Sequence, residues 1–147
     1  AGKIEETLAP NPTPNSWAAN PDNEVAIYNI KMEAGAEWTL PLASEGVNRS
    51  FYYYQGDTLT LADLDIQPDH AIELNPNIET VIKNGAKESR ILVLQGKPIN
   101  EPIAQHGPFV MNSQAEIMEA FQDYRQTQFG GWPWPDTDQV HKEATGR

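Results

Sequence analysis

The sequence predicts an all-β fold, an antiparallel sandwich or barrel with one helix near the C-terminus. Three observations carry that expectation. Roughly seven short runs of strand-forming residues lie between Glu24 and Gln95. Turn residues punctuate them at the short spacing typical of antiparallel all-β architectures. Helical periodicity appears in a single stretch, after Asn112.

Residues 1–23 read as an extended arm or linker. Pro10, Pro12, Pro14 and Pro21 stand there among Asn, Thr, Ser and Asp, and each proline removes a ladder donor. Over residues 24–111 the strands follow. Val25, Ile27, Ile30 and Met32 mark one, Trp38 to Leu42 a second, and Arg49 to Gln55 a third that ends at the Gln55-Gly56-Asp57 turn. Thr58 to Leu61, Ala71 to Leu74, Glu79 to Lys83 and Arg90 to Gln95 continue the series, separated by Pro68-Asp69, Asn75-Pro76-Asn77 and Asn84-Gly85. Residues 112–135 hold the helix and a Phe129-Gly-Gly-Trp-Pro-Trp-Pro135 segment. Ser113 and Glu116 form a capping-box pattern, and Ile117, Ala120, Phe121 and Tyr124 recur on one face, which is expected to lie on the outside of the barrel. The helix is expected to stop near Gln128, with Gly130-Gly131 as its C-terminal cap and Pro133 barring continuation. Residues 136–147 are a polar tail.

A chain of 147 residues with 39% hydrophobic content encloses one core without staples, and it has no cysteine for disulfide or thiol chemistry. Its 21 acidic and 10 basic side chains give a formal charge of -11, which repels phosphate backbones and anionic membranes, so no direct nucleic-acid or membrane binding is expected. Apolar runs such as Ile91 to Leu94 are too short to span a bilayer. Lys3, Glu5 and Glu6 interrupt any signal-like start. A soluble, cytoplasmic protein is therefore expected. Glycine-rich phosphate loops, nucleophile elbows and zinc spacings are absent.

The stretch from Leu94-Gln-Gly-Lys-Pro-Ile-Asn through Gln105-His-Gly-Pro-Phe-Val-Met-Asn112, followed by the helix and Phe129 to Pro135, resembles the closing half of a pirin. Similarity extends more loosely over Pro14-Asn-Ser-Trp-Ala and Gly35-Ala-Glu-Trp-Thr-Leu-Pro41. The resemblance implies a cupin jelly-roll barrel. Pirins resemble one another as two-barrel cupins, with a divalent metal, iron by preference, in the first barrel and a metal-free second barrel. This chain is similar to the second alone.

Metal-binding cupins resemble one another in presenting two histidines, a glutamate and a later histidine to the barrel interior. Counting forward from Gly35 places the first two ligand positions near Pro41 and Ala43, and counting back from Gly56 places the glutamate at Arg49 with histidines near Ala43 and Glu45. The late histidine position falls on Thr80 or Val81, while Pro76 and Asn84 echo the pattern. Neither count meets a histidine. No catalytic, cofactor-binding or metal-ligating residue is therefore assigned, and no cofactor is expected in this chain.

Four residues are candidates for the barrel interior or cleft: Arg49, Phe51, Tyr53 and His106. An inward Arg49 fills the place of the lost ion with its own charge and requires an acidic partner, Glu45 or Glu73, or several carbonyls. The alternative is an outward arginine at a strand start. Strand alternation puts Phe51 and Tyr53 on the same side as Arg49, where they pack the core or, less commonly, stack on a flat ligand. His106, beside Gly107-Pro108, is expected to orient its loop through a ring hydrogen bond, or else to line a pocket. His70 reads as an exposed or strand-edge side chain, and His141 lies in the tail. Trp132 and Trp134 look like hydrophobic clamps.

The function expected is that of a non-catalytic C-terminal cupin domain supporting a metal-binding N-terminal cupin, in a protein of the quercetin 2,3-dioxygenase or regulatory pirin type. The alternatives are a stand-alone single-barrel cupin enzyme and an acidic protein-interaction module. A surface built to meet another barrel favours association, with either the N-terminal barrel or a second copy as partner.

Overall fold

The computed structural model describes residues 2–4 and 6–132. The chain divides into two compact units, Ala1–Ile99 and Asn100–Arg147. The first begins with a minimal hairpin, β1 (Lys3–Ile4) and β2 (Thr7–Leu8), followed by 3-10 turns at Trp17–Ala19 and Pro21–Asn23. Eight strands follow: β3 (Ala26–Met32), β4 (Glu37–Leu40), β5 (Asn48–Gln55), β6 (Leu59–Leu61), β7 (Leu64–Ile66), β8 (His70–Leu74), β9 (Thr80–Asn84) and β10 (Ser89–Gly96).

These strands form two four-stranded antiparallel sheets, ordered β3-β10-β5-β8 and β4-β9-β6-β7. Apart from the β6–β7 hairpin, sequence neighbours thus alternate between sheets, the jelly-roll arrangement. The sheets form a sandwich and do not close into one continuous ladder; β3, β8, β4 and β7 end them. The expected strands are present within a residue or two of their predicted ends. β7 was hidden because its turn, Ala62-Asp63, takes positive φ at both residues (49° and 63°) without the Asn-Gly or Asp-Gly signature.

Strand alternation builds the core. Facing inward on the first sheet, Tyr28, Val93, Phe51 and Ile72 share one cross-strand row, and Ala26, Gln95, Arg49 and Leu74 share the next. Leu40, Leu59, Leu61 and Ile82 meet them from the second sheet in one buried cluster. Phe51, Leu59, Ile82, Ile91 and Val93 expose no surface, and each such side chain contributes about 1.5–3 kcal/mol by leaving water. Tyr52 and Tyr54 face outward. A bulge between Arg90 and Ile91 lets β5 advance from Tyr53 to Gln55 in one step of β10, and the Tyr54 hydroxyl donates to Asn29 Oδ1 (3.2 Å).

Among its described residues the second unit contains a hairpin, β11 (Ala104–His106) and β12 (Phe109–Met111), and an α-helix, α1 (Gln114–Thr127), followed by a 3-10 turn at Gln128–Gly130. Ser113 accepts from the Glu116 N–H (3.3 Å), and Glu116 Oε2 reaches back to the Asn112 N–H (3.0 Å), so the capping box closes one residue earlier than the standard pattern. The C-terminal cap corrects the sequence expectation. The helix stops where expected, but Gln128 (φ 49°), ahead of Gly130-Gly131, is the left-handed residue that caps it and returns its N–H to the Tyr124 carbonyl. Within this unit Phe121 and Tyr124 meet aromatic rings: Phe109 lies 4.8 Å from Phe121 and 6.3 Å from Tyr124.

Gly56 marks the tightest approach in the sandwich. At φ 148° it lies where a Cβ would overlap the Tyr53 hydroxyl and Ser89 Oγ. Gly56→Ala is therefore expected to destabilise the protein by about 2–4 kcal/mol through strain and overpacking. Urea denaturation measures this, and a change under about 0.5 kcal/mol, the range of an ordinary surface substitution, would show that the turn relaxes freely.

Candidate functional site

Two polar knots interrupt the apolar interior, one at each end of the inward face of β5. At the Gly56 end, Asn84 Nδ2 donates to the carbonyls of Met32 (3.2 Å), Glu33 (2.7 Å) and Lys87 (2.9 Å). Ser89 Oγ donates to Asn84 Oδ1 (2.6 Å) and lies 3.2 Å from the Tyr53 hydroxyl. Every buried polar atom of this knot has a partner, which makes it a structural clasp between β9, β10 and the β3–β4 turn.

The other knot centres on Arg49, only 1% exposed. Its neighbour across the ladder, Gln95, offers Oε1 to both Nε (2.9 Å) and Nη2 (2.6 Å). Nη2 also donates to the Pro41 carbonyl (2.6 Å), just beyond β4, so the guanidinium joins the two sheets. Gln95 is held in turn by its Nε2, which donates to the Glu24 carbonyl (3.1 Å). Nη1 is buried with no hydrogen-bond partner. No carboxylate comes within ion-pair distance of Arg49 among the described residues.

Burial lowers the affinity of this guanidinium for its proton, opposed by Tyr28 and the charge of Glu24. Tyr28 is itself pushed up by burial. Glu24 sits in the left-handed region (φ 48°) before β3, and its Oε2 accepts from the Ser44 N–H (3.0 Å). That hydrogen bonding from Ser44, with the charges of Lys97 (3.8 Å away) and Arg49, holds the carboxyl below the usual carboxylate range.

The structure thus gathers Arg49, Phe51 and Tyr53 on one inward face. His106 lies apart, exposed on β11 in the second unit. Its ring meets Phe121 edge-on at 5.4 Å and 84°, and this contact takes the place of the expected ring hydrogen bond. His70 opens β8 and is exposed, with Nδ1 3.0 Å from the Gln67 carbonyl. Neither acid expected to balance Arg49 does so: Glu73 points outward and accepts from Ser50 Oγ (2.7 Å), and Glu45 is an exposed turn residue. Trp132 is 53% exposed; Trp134 and His141 lie outside the described residues. Sequence reasoning missed Gln95 and Glu24. Alternation along β10 was the available signal for Gln95, since it shares a face with Val93 and Ile91.

Pro41 and Arg49, assigned to ligand positions by counting from two different glycines, do meet in space. Their chemistry does not fit a divalent cation. A guanidinium has no lone pair to donate and carries a positive charge, and the remaining atoms are one amide and one carbonyl oxygen. Among the described residues no three His, Asp or Glu side chains converge on a common point.

The family model for the pirin C-terminal cupin domain matches residues 27–130. Human pirin is 32% identical over 106 residues, covering 69% of this chain and 36% of pirin. Pirin-1 of Arabidopsis thaliana is 38% identical over 108 residues, 70% of this chain and 37% of that protein. The chain therefore spans little more than a third of these relatives' length. A crystal structure of quercetin 2,3-dioxygenase from Acinetobacter baumannii superposes with a TM-score of 0.69 at 28% identity, over 89% of this chain and 42% of that one.

Two expectations follow from the Arg49 knot. Gln95→Leu removes the oxygen that accepts two guanidinium donors and should cost about 2–3 kcal/mol in urea denaturation; no loss would mean that Arg49 finds another acceptor. The depressed carboxyl of Glu24 contributes stability that is present above its unfolded-state pKa and is lost as pH falls through the folded one. Wild-type stability should therefore decline between about pH 5 and pH 3, with a shallower decline in Glu24→Gln.

Proposed function

Since the chain belongs to the pirin family, as its C-terminal cupin domain, we propose that its role is to support a metal-binding N-terminal cupin barrel rather than to catalyse a reaction itself. The observation that carries this reading is Arg49. It occupies the position where counting places a cupin's carboxylate ligand, and it is tied to Gln95 and Pro41 instead of to an ion. A guanidinium there fills and cross-links the interior, doing by hydrogen bonds what a metal does by coordination in related barrels. On this reading the barrel holds no metal, and the divalent ion, iron by preference, belongs to the N-terminal barrel.

The longer protein in which such a domain serves is proposed to be a metal-dependent cupin of the quercetin 2,3-dioxygenase or regulatory pirin type. The similar Acinetobacter structure is that of a quercetin 2,3-dioxygenase, which supports that class. The immediate partner is then the N-terminal cupin barrel, or a second copy of this chain where that barrel is not engaged. The cytoplasm is the proposed location. Among the described residues no helix is long and apolar enough to cross a membrane, and the formal charge of -11 disfavours direct contact with nucleic acid.

Calorimetric titration of the chelator-stripped chain with Fe(II), Mn(II), Ni(II) and Zn(II) tests the metal-free assignment. No saturable heat is expected. Binding near one ion per chain would overturn the assignment and favour a single-barrel enzyme.

A further inference from the structure

We propose that Arg49 anchors a binding site for a compact carboxylate, which accepts a hydrogen bond from Nη1 and neutralises the buried guanidinium. The inference rests on the geometry of the knot and is independent of the supporting role proposed above. Three of the five guanidinium N–H groups are spoken for, two by Gln95 Oε1 and one by the Pro41 carbonyl. Both hydrogens of Nη1 remain, on an atom shut away from solvent. An unmatched buried donor is unfavourable, and one bearing a formal charge more so.

The partners already present are neutral, so they satisfy hydrogens without cancelling charge. A water molecule at Nη1 would have the same shortcoming. A carboxylate oxygen supplies both an acceptor and a negative charge, and charge-assisted bonds of this kind are shorter and stronger than neutral ones. The guanidinium is also preorganised: Gln95 grips it from one side and is itself fixed by Glu24. Size is limited because Arg49 is almost wholly enclosed. A phosphate or sulfate dianion needs more donors than one nitrogen provides, which favours an anion of a few heavy atoms.

The proposal requires entry past the segment from Trp17 to Glu24, which joins no strand ladder and meets the knot where the Glu24 carbonyl accepts from Gln95. It is tethered by Trp17 Nε1 to the Lys97 carbonyl (2.9 Å), the Lys97 N–H to the Asn23 carbonyl (2.8 Å), and the two Glu24 contacts already described. Glu24 is the charged competitor. Its carboxylate engages Ser44 and Lys97 rather than Arg49, so it leaves Nη1 free while repelling an incoming anion.

The test is a titration of the full chain with sodium formate at constant ionic strength, following the Arg49 guanidinium 15N resonances and the melting temperature. Saturable movement of the Nη1 resonance with a rise in Tm is expected, both absent in Arg49→Met. Glu24→Gln should tighten binding several-fold by removing the competing charge. Resonances that stay fixed, or a Tm rise equal in Arg49→Met, would overturn the site and leave Nη1 to water alone. Binding confined to Glu24→Gln would also overturn it, identifying Glu24 as the counter-ion of Arg49 in the native chain. Should Arg49→Met fail to fold, the wild-type guanidinium resonances decide the question by themselves.

Discussion

The rest of the sandwich is arranged around the problem of keeping a guanidinium inside it. Arg49 stands on the inward face of β5, between Gln95 and Leu74 in its cross-strand row. Once a charge is placed there, the neighbouring positions lose their freedom. The residue opposite on β10 must offer an oxygen, the end of β4 must bring a carbonyl within reach, and the chain before β3 must hold the Gln95 amide. Each requirement couples a different part of the sequence to one side chain. The resulting link between sheets is polar, as is the Asn84 clasp at the other end, while the layer between them is held by apolar contact.

Placement of the polar groups explains why the two knots differ in character. The Asn84 clasp is fully paired and sits beside Gly56, where backbone and side chains approach so closely that no Cβ is admitted. It has no chemical capacity to spare. The Arg49 knot is under-satisfied, and it meets a segment outside the sheets at Glu24. Between them lies an apolar layer of Phe51, Val93 and Ile82 that separates the two ends. Unmet capacity at one end only is what makes that end the candidate site, since a fully paired network rigidifies whereas an orphaned charged donor retains affinity for a partner.

Much of the fold was legible because strands leave a period-two record. Arg49, Phe51 and Tyr53 share a face by alternation alone, and the sequence therefore specified that if one is buried all are. The helix was legible for a similar reason, from Ser113, Glu116 and the spacing of Ile117 and Ala120. Its end near Gln128 was legible too; the capping residue was not, because Gln128 itself takes the left-handed conformation ahead of the glycines, against a local preference of about 1–2 kcal/mol. Strand β7 escaped for the same cause, its Ala62-Asp63 turn lacking the glycine that usually announces positive φ. His106 was assigned a hydrogen bond on its loop context, yet the aromatic cluster around Phe121 determines its partner.

By itself the sequence determined the strand alternation, the helix start, the charge of the molecule and the likeness to a pirin's second barrel, since each is written in local spacing or in residues close together along the chain. Only the tertiary structure decided what balances Arg49. Glu45 and Glu73 are acids close to Arg49 in sequence or across a strand, but strand pleating turns Glu73 outward and the turn leaves Glu45 in solvent, while Gln95, 46 residues away, is brought opposite by the β5–β10 register. A contact between distant strands depends on register and sheet order, and these are set by the simultaneous burial of many side chains rather than by any one segment.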